Sequence, residues 1–114
     1  MNPEHAWIEE LGAAVTVTDE RGTIVAMNAR ASETFAKDGG RALVGRSVFD
    51  CHPAHTQAKL RGLYEQQQSN HYTISKAGLK KIIHQLPWFQ NGVFAGFLEI
   101  SIPIPEGMEH FDRG

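Results

Sequence analysis

The side chains best suited to chemistry lie in one short run, Cys51-His52-Pro53-Ala54-His55. A thiolate close to a helix N-terminus and a histidine has a lowered pKa, which suits covalent chromophore attachment or redox sensing. Thiolate and imidazole are also metal ligands, but adjacent Cys51 and His52 rarely hold one ion together and no second ligand pair follows. No motif supports a cysteine hydrolase. In the alternative without chemistry, Cys51 is a small buried apolar residue, and His52 and His55 cap the helix N-terminus or lie on its surface.

A second candidate is His84, in a predicted strand that runs from Leu79 to Phe89. Alternation along a strand places every second side chain on one face, and an apolar face that meets the helices would bury His84 in a cavity. A buried imidazole needs a polar partner, either a backbone carbonyl or the polar end of a ligand. We expect a ligand pocket lined by His84 together with Ile82, Leu86, Trp88, Leu60, Tyr64 and Phe49.

The elements that must position these residues are two strands, a block of helices and three further strands. The first hairpin has β-branched strands and turns at Asp19-Glu20-Arg21-Gly22; Asn28 then provides a helix N-cap. Gln90-Asn91-Gly92 predicts a second hairpin. The predicted helices are 4–11, the segment after Asn28, and 53–68; the predicted strands are 14–18, 23–27, 71–76, 79–89 and 93–102. This order predicts an α+β fold, a five-stranded antiparallel sheet with helices on one face.

Length and composition limit the classes of function. The 114 residues fit one domain, with residues 1–12 as an N-terminal flanking helix, 13–105 as the main folded domain and 106–114 as a tail or linker. The net charge of −2 gives no reason to expect nucleic acid. A single cysteine, an acidic N-terminus and the lack of a roughly 20-residue apolar run predict a cytoplasmic chain with no membrane partner.

Three ordered segments carry a resemblance to a known family. The run from Val15 to Ala31 resembles the opening of a PAS domain, where a V-x-D-x-x-G-x-I-x-x-x-N-x-A pattern spans the first hairpin and the next helix start. Leu43-Val44-Gly45-Arg46-Ser47-Val48-Phe49 is similar to the family's L-x-G-x-x-V/L segment, and the run from Gly92 to Ile100 is similar to its last hairpin. Asp50-Cys51-His52-Pro53 resembles PAS domains that accompany hemerythrin-like modules. Together these segments cover roughly residues 5–105.

The resemblance implies a regulatory sensor domain that is not an enzyme. Such a domain would bind a small ligand or cofactor between sheet and helices and signal through a homodimer or a partner protein, with Trp7, Ile8 and Leu11 as candidate dimer contacts. One alternative is a protein-interaction module without a small ligand. Another is a haem-based gas or redox sensor: Pro53-Ala54-His55 resembles the helix start that supplies the proximal histidine, and His55 would be the axial ligand of haem b. His52 and Cys51 would then also lie at the cofactor.

Overall fold

Five strands in the described part of the chain form a single antiparallel sheet in the spatial order β2-β1-β5-β4-β3. The computed structural model describes residues 5–114, except for the side chain of Cys51. The strands are β1 (Ala14–Thr18), β2 (Ile24–Met27), β3 (Asn70–Lys76), β4 (Leu79–Gln90) and β5 (Val93–Pro103). The helices are α1 (Ala6–Glu9), α2 (Ala29–Thr34) and α3 (Ala54–Gln66), with 3₁₀ turns at Ala36–Asp38, Gly40–Leu43 and Val48–Cys51. The predicted α+β architecture is confirmed.

Both predicted hairpins are present, and local chemistry explains each turn. The Asp19 side chain accepts hydrogen bonds from the backbone N–H groups of Arg21 and Thr23, at 2.9 and 3.0 Å. In the β4–β5 turn, Asn91 and Gly92 both have positive φ, at 52° and 78°. That conformation matches the right-handed twist of the flanking strands, which explains the Asn-Gly pair.

Asn28 joins three elements and is almost fully buried, with 2% of its surface exposed. Its Oδ1 accepts hydrogen bonds from the backbone N–H groups of Val15 and Ala31, both at 3.0 Å, which caps α2 and ties it to β1. Its Nδ2 donates to the backbone carbonyls of Ile8 and Ala13, at 2.9 and 2.8 Å. The predicted N-cap therefore also fixes α1 against the sheet.

Gly96 allows β5 to pass close to the end of β1. Its φ is 145°, and a Cβ atom there would overlap the backbone carbonyl oxygen of Thr18. The same carbonyl accepts a hydrogen bond from the Trp88 indole N–H at 3.0 Å. Only glycine combines this backbone conformation with so close an approach.

Two apolar clusters make the core on the side of the sheet that faces the helices. The first joins β1, β2 and α2 and contains Ala14, Ile24, Met27, Ala31 and Leu43. The second joins α3 to the sheet and contains Phe49, Leu60, Tyr64 and Phe97. In the second cluster the Tyr64 hydroxyl and the Thr18 Oγ1 lie 2.5 Å apart, so the ring is anchored by a hydrogen bond as well as by packing.

No helix among residues 5–114 is long and apolar enough to cross a bilayer.

Candidate functional site

A cavity of about 370 Å³ lies between the inner face of the sheet and the segment from α2 to the last 3₁₀ turn. This volume is at the lower end of the range for small-molecule sites. Most of its wall surface is apolar, and eight of the lining residues have apolar side chains: Ala14, Ile24, Met27, Phe35, Leu43, Val48, Ile74 and Ile83. The polar members are Thr16, Thr34, Lys37, Asp38, His52, Tyr72, Lys76, Lys81, Glu99 and Ser101.

A row of polar side chains crosses the inner face of the sheet, one from each of four neighbouring strands. Strand register pairs Asn70 with Gln85, Gln85 with Glu99, and Glu99 with Thr16. Asn70 Nδ2 donates to Gln85 Oε1 at 2.9 Å, and Gln85 Nε2 donates to Glu99 Oε1 at 3.3 Å. The two amides are thus oriented in one direction, toward a carboxylate that forms part of the cavity wall.

Glu99 is the chemically unusual member of this row. Burial raises the pKa of its carboxyl above the usual 4.5, although the Gln85 hydrogen bond and the nearby His52 act in the opposite direction. Among the described residues, no Lys, Arg or His side chain lies within ion-pair distance of this carboxylate. A carboxyl group with one hydrogen-bond donor and no cationic partner in an apolar cavity has capacity left to accept a hydrogen bond from a ligand.

His52 contributes a second polar group to the cavity wall. Its Nδ1 lies 2.8 Å from the backbone carbonyl of Val48, and because a carbonyl only accepts, Nδ1 carries the hydrogen. The Gln57 amide also donates to the His52 carbonyl at 2.8 Å, which holds the residue at the start of α3. These contacts fix the ring and leave Nε2 as the nitrogen available to a ligand.

The prediction that Ile82, His84, Leu86 and Trp88 line this cavity is wrong. The β4 side chains do alternate between the two faces of the sheet, but Ile83 and Gln85 are the residues that are buried on the inner face. The even-numbered residues lie on the opposite, outer face, where His84 contacts His71. Apolar character did not identify the inner face because the outer face is also apolar and the inner face carries the polar row.

Phe49, Leu60 and Tyr64, also predicted as ligand contacts, are core residues and do not line the cavity. Their rings and side chains pack on each other and on Phe97; the ring centroids of Tyr64 and Phe97 are 4.5 Å apart. Burial raises the pKa of the Tyr64 hydroxyl to about 12. The cavity is roofed by the α2-to-3₁₀ segment, whereas Leu60 and Tyr64 of α3 pack against the sheet at Phe97.

The residues of the Cys-His-Pro run separate in the structure. His52 forms part of the cavity wall, whereas His55 is exposed on α3 and lines neither this cavity nor the outer-face concavity described below. A haem bound in the inner cavity through His55 therefore does not fit this arrangement. No cluster of three or more potential metal ligands occurs in the described part of the chain. Because the Cys51 side chain lies outside the described part, the chromophore and redox hypotheses for it stay predictions.

A second concavity, of about 610 Å³, lies on the outer face beside α1. Its walls are mainly apolar: Trp7, Ile8, Val15, Val17, Val25, Ala26, Met27, Val44 and Trp88, with His5, Asn28 and Arg41 as polar members. Trp7 is 69% exposed, which is unusual for a tryptophan. Arg41 anchors α1 here through two hydrogen bonds to the Glu9 carboxylate, at 2.6 and 3.2 Å.

Comparison with known proteins adds a family match to this geometry. Residues 8–78 match a family model described as a PAS fold. No curated protein matches the chain.

Solved structures share the fold at low sequence identity. A C-terminal domain from Streptococcus mutans is 19% identical, with a TM-score of 0.71 over 88% of this chain and 81% of that one. The PAS domain of the histidine kinase ThkA is 17% identical, with a TM-score of 0.61 over 81% and 99% of the two chains. The Aer2 receptor from Vibrio cholerae, titled a dual PAS-heme oxygen sensor, is 16% identical, with a TM-score of 0.59 over 82% and 95%.

Proposed function

The chain belongs to the PAS family of sensor domains, and on this basis we propose that it binds a small organic ligand in the inner cavity. The observation that carries the proposal is the Glu99 carboxylate, which forms part of an apolar cavity wall without a cationic partner among the described residues. A core built only for packing would have no reason to hold such a group. The domain would relay ligand binding to a partner and carry out no reaction itself.

The cavity wall also defines the class of ligand. Its apolar residues favour a flat or aliphatic body of modest size, and Glu99 favours an N–H or O–H donor at the inner end. Tyr72 and His52 provide further polar groups within the same cavity. Of the charged side chains that line it besides Glu99 and His52, three are lysines and one is Asp38, so the surroundings are net positive. We therefore propose a neutral small molecule that bears an amide or a hydroxyl group.

Glu99→Gln tests whether burial of the Glu99 carboxyl destabilises the folded chain once this group is ionised. Because its pKa is raised in the folded chain, the unfolded chain releases the proton first as pH rises above about 4.5. Ionised Glu99 then destabilises the fold, so wild-type stability falls relative to Glu99→Gln as pH increases. We therefore expect the variant to gain thermal stability relative to wild type as the pH rises above about 4.5, in measurements between about pH 5 and pH 8.

The exposed Glu106 supplies a matched control, since Glu106→Gln should follow the wild-type pH profile. Thermal unfolding of all three chains by circular dichroism across this pH range gives the comparison. A constant difference between Glu99→Gln and wild type at every pH would contradict the account of the carboxyl.

We further propose that the outer face contacts a second copy of the chain or a signalling partner. The exposed apolar side chains Trp7, Leu11 and Val25 support this, because a monomer gains nothing from leaving them in water. The same observation favours the alternative function of an interaction module that works without a small ligand.

Replacing Trp7 and Leu11 with alanine should weaken self-association by about tenfold or more while lowering thermal stability little. Both side chains are exposed, and α1 is held in place by the Asn28 hydrogen bond to the Ile8 carbonyl and by Arg41, which the change leaves intact. Sedimentation velocity over a concentration series measures the effect. Phe111→Ala, at another exposed aromatic, is the control. A wild type that is monomeric throughout the series would contradict the proposed contact.

A further inference from the structure

His71 and His84 form a cross-strand pair on the outer face of the sheet. They are register partners on β3 and β4, and their Nδ1 atoms lie 2.8 Å apart, with ring centroids separated by 5.0 Å and planes inclined by 70°. This pair lies outside the inner cavity and takes no part in the proposed ligand site. The two Nδ1 atoms contact each other directly, at an exposed position on the sheet.

Two imidazole nitrogens that face each other can share a single proton or a single metal ion. Between neutral rings, one Nδ1 donates and the other accepts. In a tetrahedral zinc site, bonds of about 2.0–2.1 Å place two histidine nitrogens about 3.3 Å apart. The observed separation would have to open by only about 0.5 Å, which a small rotation of the exposed His71 side chain can provide.

The surroundings neither repel a cation nor supply a competing anion. The nearest positions on the same face are Ile82 and Leu86 along β4, Thr73 along β3, and Ile100, which pairs with His84 from β5. All four are uncharged. Because no third histidine, cysteine or carboxylate joins the pair among the side chains that the structure describes, water would complete the coordination sphere.

From this geometry we propose that His71 and His84 form a two-histidine site for a first-row divalent ion of borderline softness, such as Zn²⁺, Ni²⁺ or Cu²⁺. A bound ion would place positive charge in the middle of an otherwise apolar face. Metal availability would then alter the character of the outer face independently of what occupies the inner cavity. The proposal does not depend on the ligand-binding function.

Titration of the purified full-length chain with ZnCl₂, without a histidine tag, tests the site. We expect one Zn²⁺ per chain by isothermal titration calorimetry at about pH 7.5. His71→Ala and His84→Ala should each weaken binding by about tenfold or more, because one of two protein ligands is lost. His55→Ala removes an exposed histidine elsewhere and should bind as wild type does.

Thermal unfolding provides an independent measurement, because an ion held across two paired strands stabilises only the folded chain. Added Zn²⁺ should raise the unfolding temperature of wild type and of His55→Ala, but not that of His84→Ala. If either alanine variant fails to fold, NMR of the wild-type imidazole resonances tests the site instead. The resonances of His71 and His84 should then both shift as Zn²⁺ is added. Equal zinc binding in all variants, or no binding at millimolar zinc, would overturn the proposal.

Discussion

Asn28→Ala is expected to destabilise the domain by about 3 kcal/mol or more, enough to lower its unfolding temperature by roughly 10–20 °C. The side chain makes four hydrogen bonds while almost fully buried. Truncation leaves the N–H groups of Val15 and Ala31 and the carbonyl of Ala13 without partners in a region that excludes water. Each such group costs about 1–3 kcal/mol when it is left unsatisfied. The change also removes the N-cap of α2.

Two companion variants separate these contributions in denaturant unfolding. Asn28→Ser keeps a capping oxygen for Ala31 but loses the reach to α1, so it should be intermediate. Asn70→Ala removes a partly buried asparagine whose side chain makes a single hydrogen bond to Gln85, and should cost about 1 kcal/mol or less. If Asn28→Ala cost no more than Asn70→Ala, the assignment of Asn28 as the junction of α1, β1 and α2 would be wrong.

Ser101→Phe is expected to abolish ligand binding in the inner cavity while leaving the fold intact. Ser101 lies on β5 with its side chain in the cavity wall, opposite Ala14 and Ile83 in the neighbouring strands. A phenyl ring there occupies space that a ligand would need, and filling an existing cavity costs little stability. With 2-phenylethanol and phenylacetamide as neutral probes, we expect at least about a tenfold loss of affinity in NMR titrations.

The adjacent residue provides the matched control. Ile102 directly follows Ser101 on β5, so its side chain lies on the outer face of the sheet, and it pairs with Ile82. Ile102→Phe therefore adds a ring of the same size on the side of the sheet away from the cavity. It should leave probe binding unchanged. Equal losses in both variants would indicate a general effect on the sheet and would count against the cavity as the binding site.

The sequence predicted the elements well because each had a local cause. Asp19 and Gly22 close one turn, Asn91 and Gly92 close another, and Asn28 begins α2 where a capping residue was expected. These two hairpins account for the β1–β2 and β4–β5 pairings. Such features depend on neighbours within a few residues, so one sequence contains them.

The site was predicted poorly because it depends on which face of the sheet meets the helices. Alternation in β4 separates Ile83 and Gln85 from Ile82 and His84, but both sets contain apolar residues and one polar residue. Gln85 and Glu99 carried a signal that hydrophobicity missed: each is polar within a strand otherwise rich in apolar side chains, and register places them side by side. That register is a long-range property, fixed by pairing between strands rather than by either strand alone.

A small ligand is proposed to occupy the inner cavity and to contact Glu99 there. Backbone amide NMR of the wild-type chain, titrated with phenylacetamide, tests it most directly. We expect chemical-shift changes concentrated at residues around the cavity, such as Tyr72, Ile83 and Glu99, with intermolecular contacts from the phenyl ring to apolar residues of its wall. Changes confined to the outer face, at Val17, Trp88 and Ile100, or no saturable change at millimolar probe, would contradict the claim.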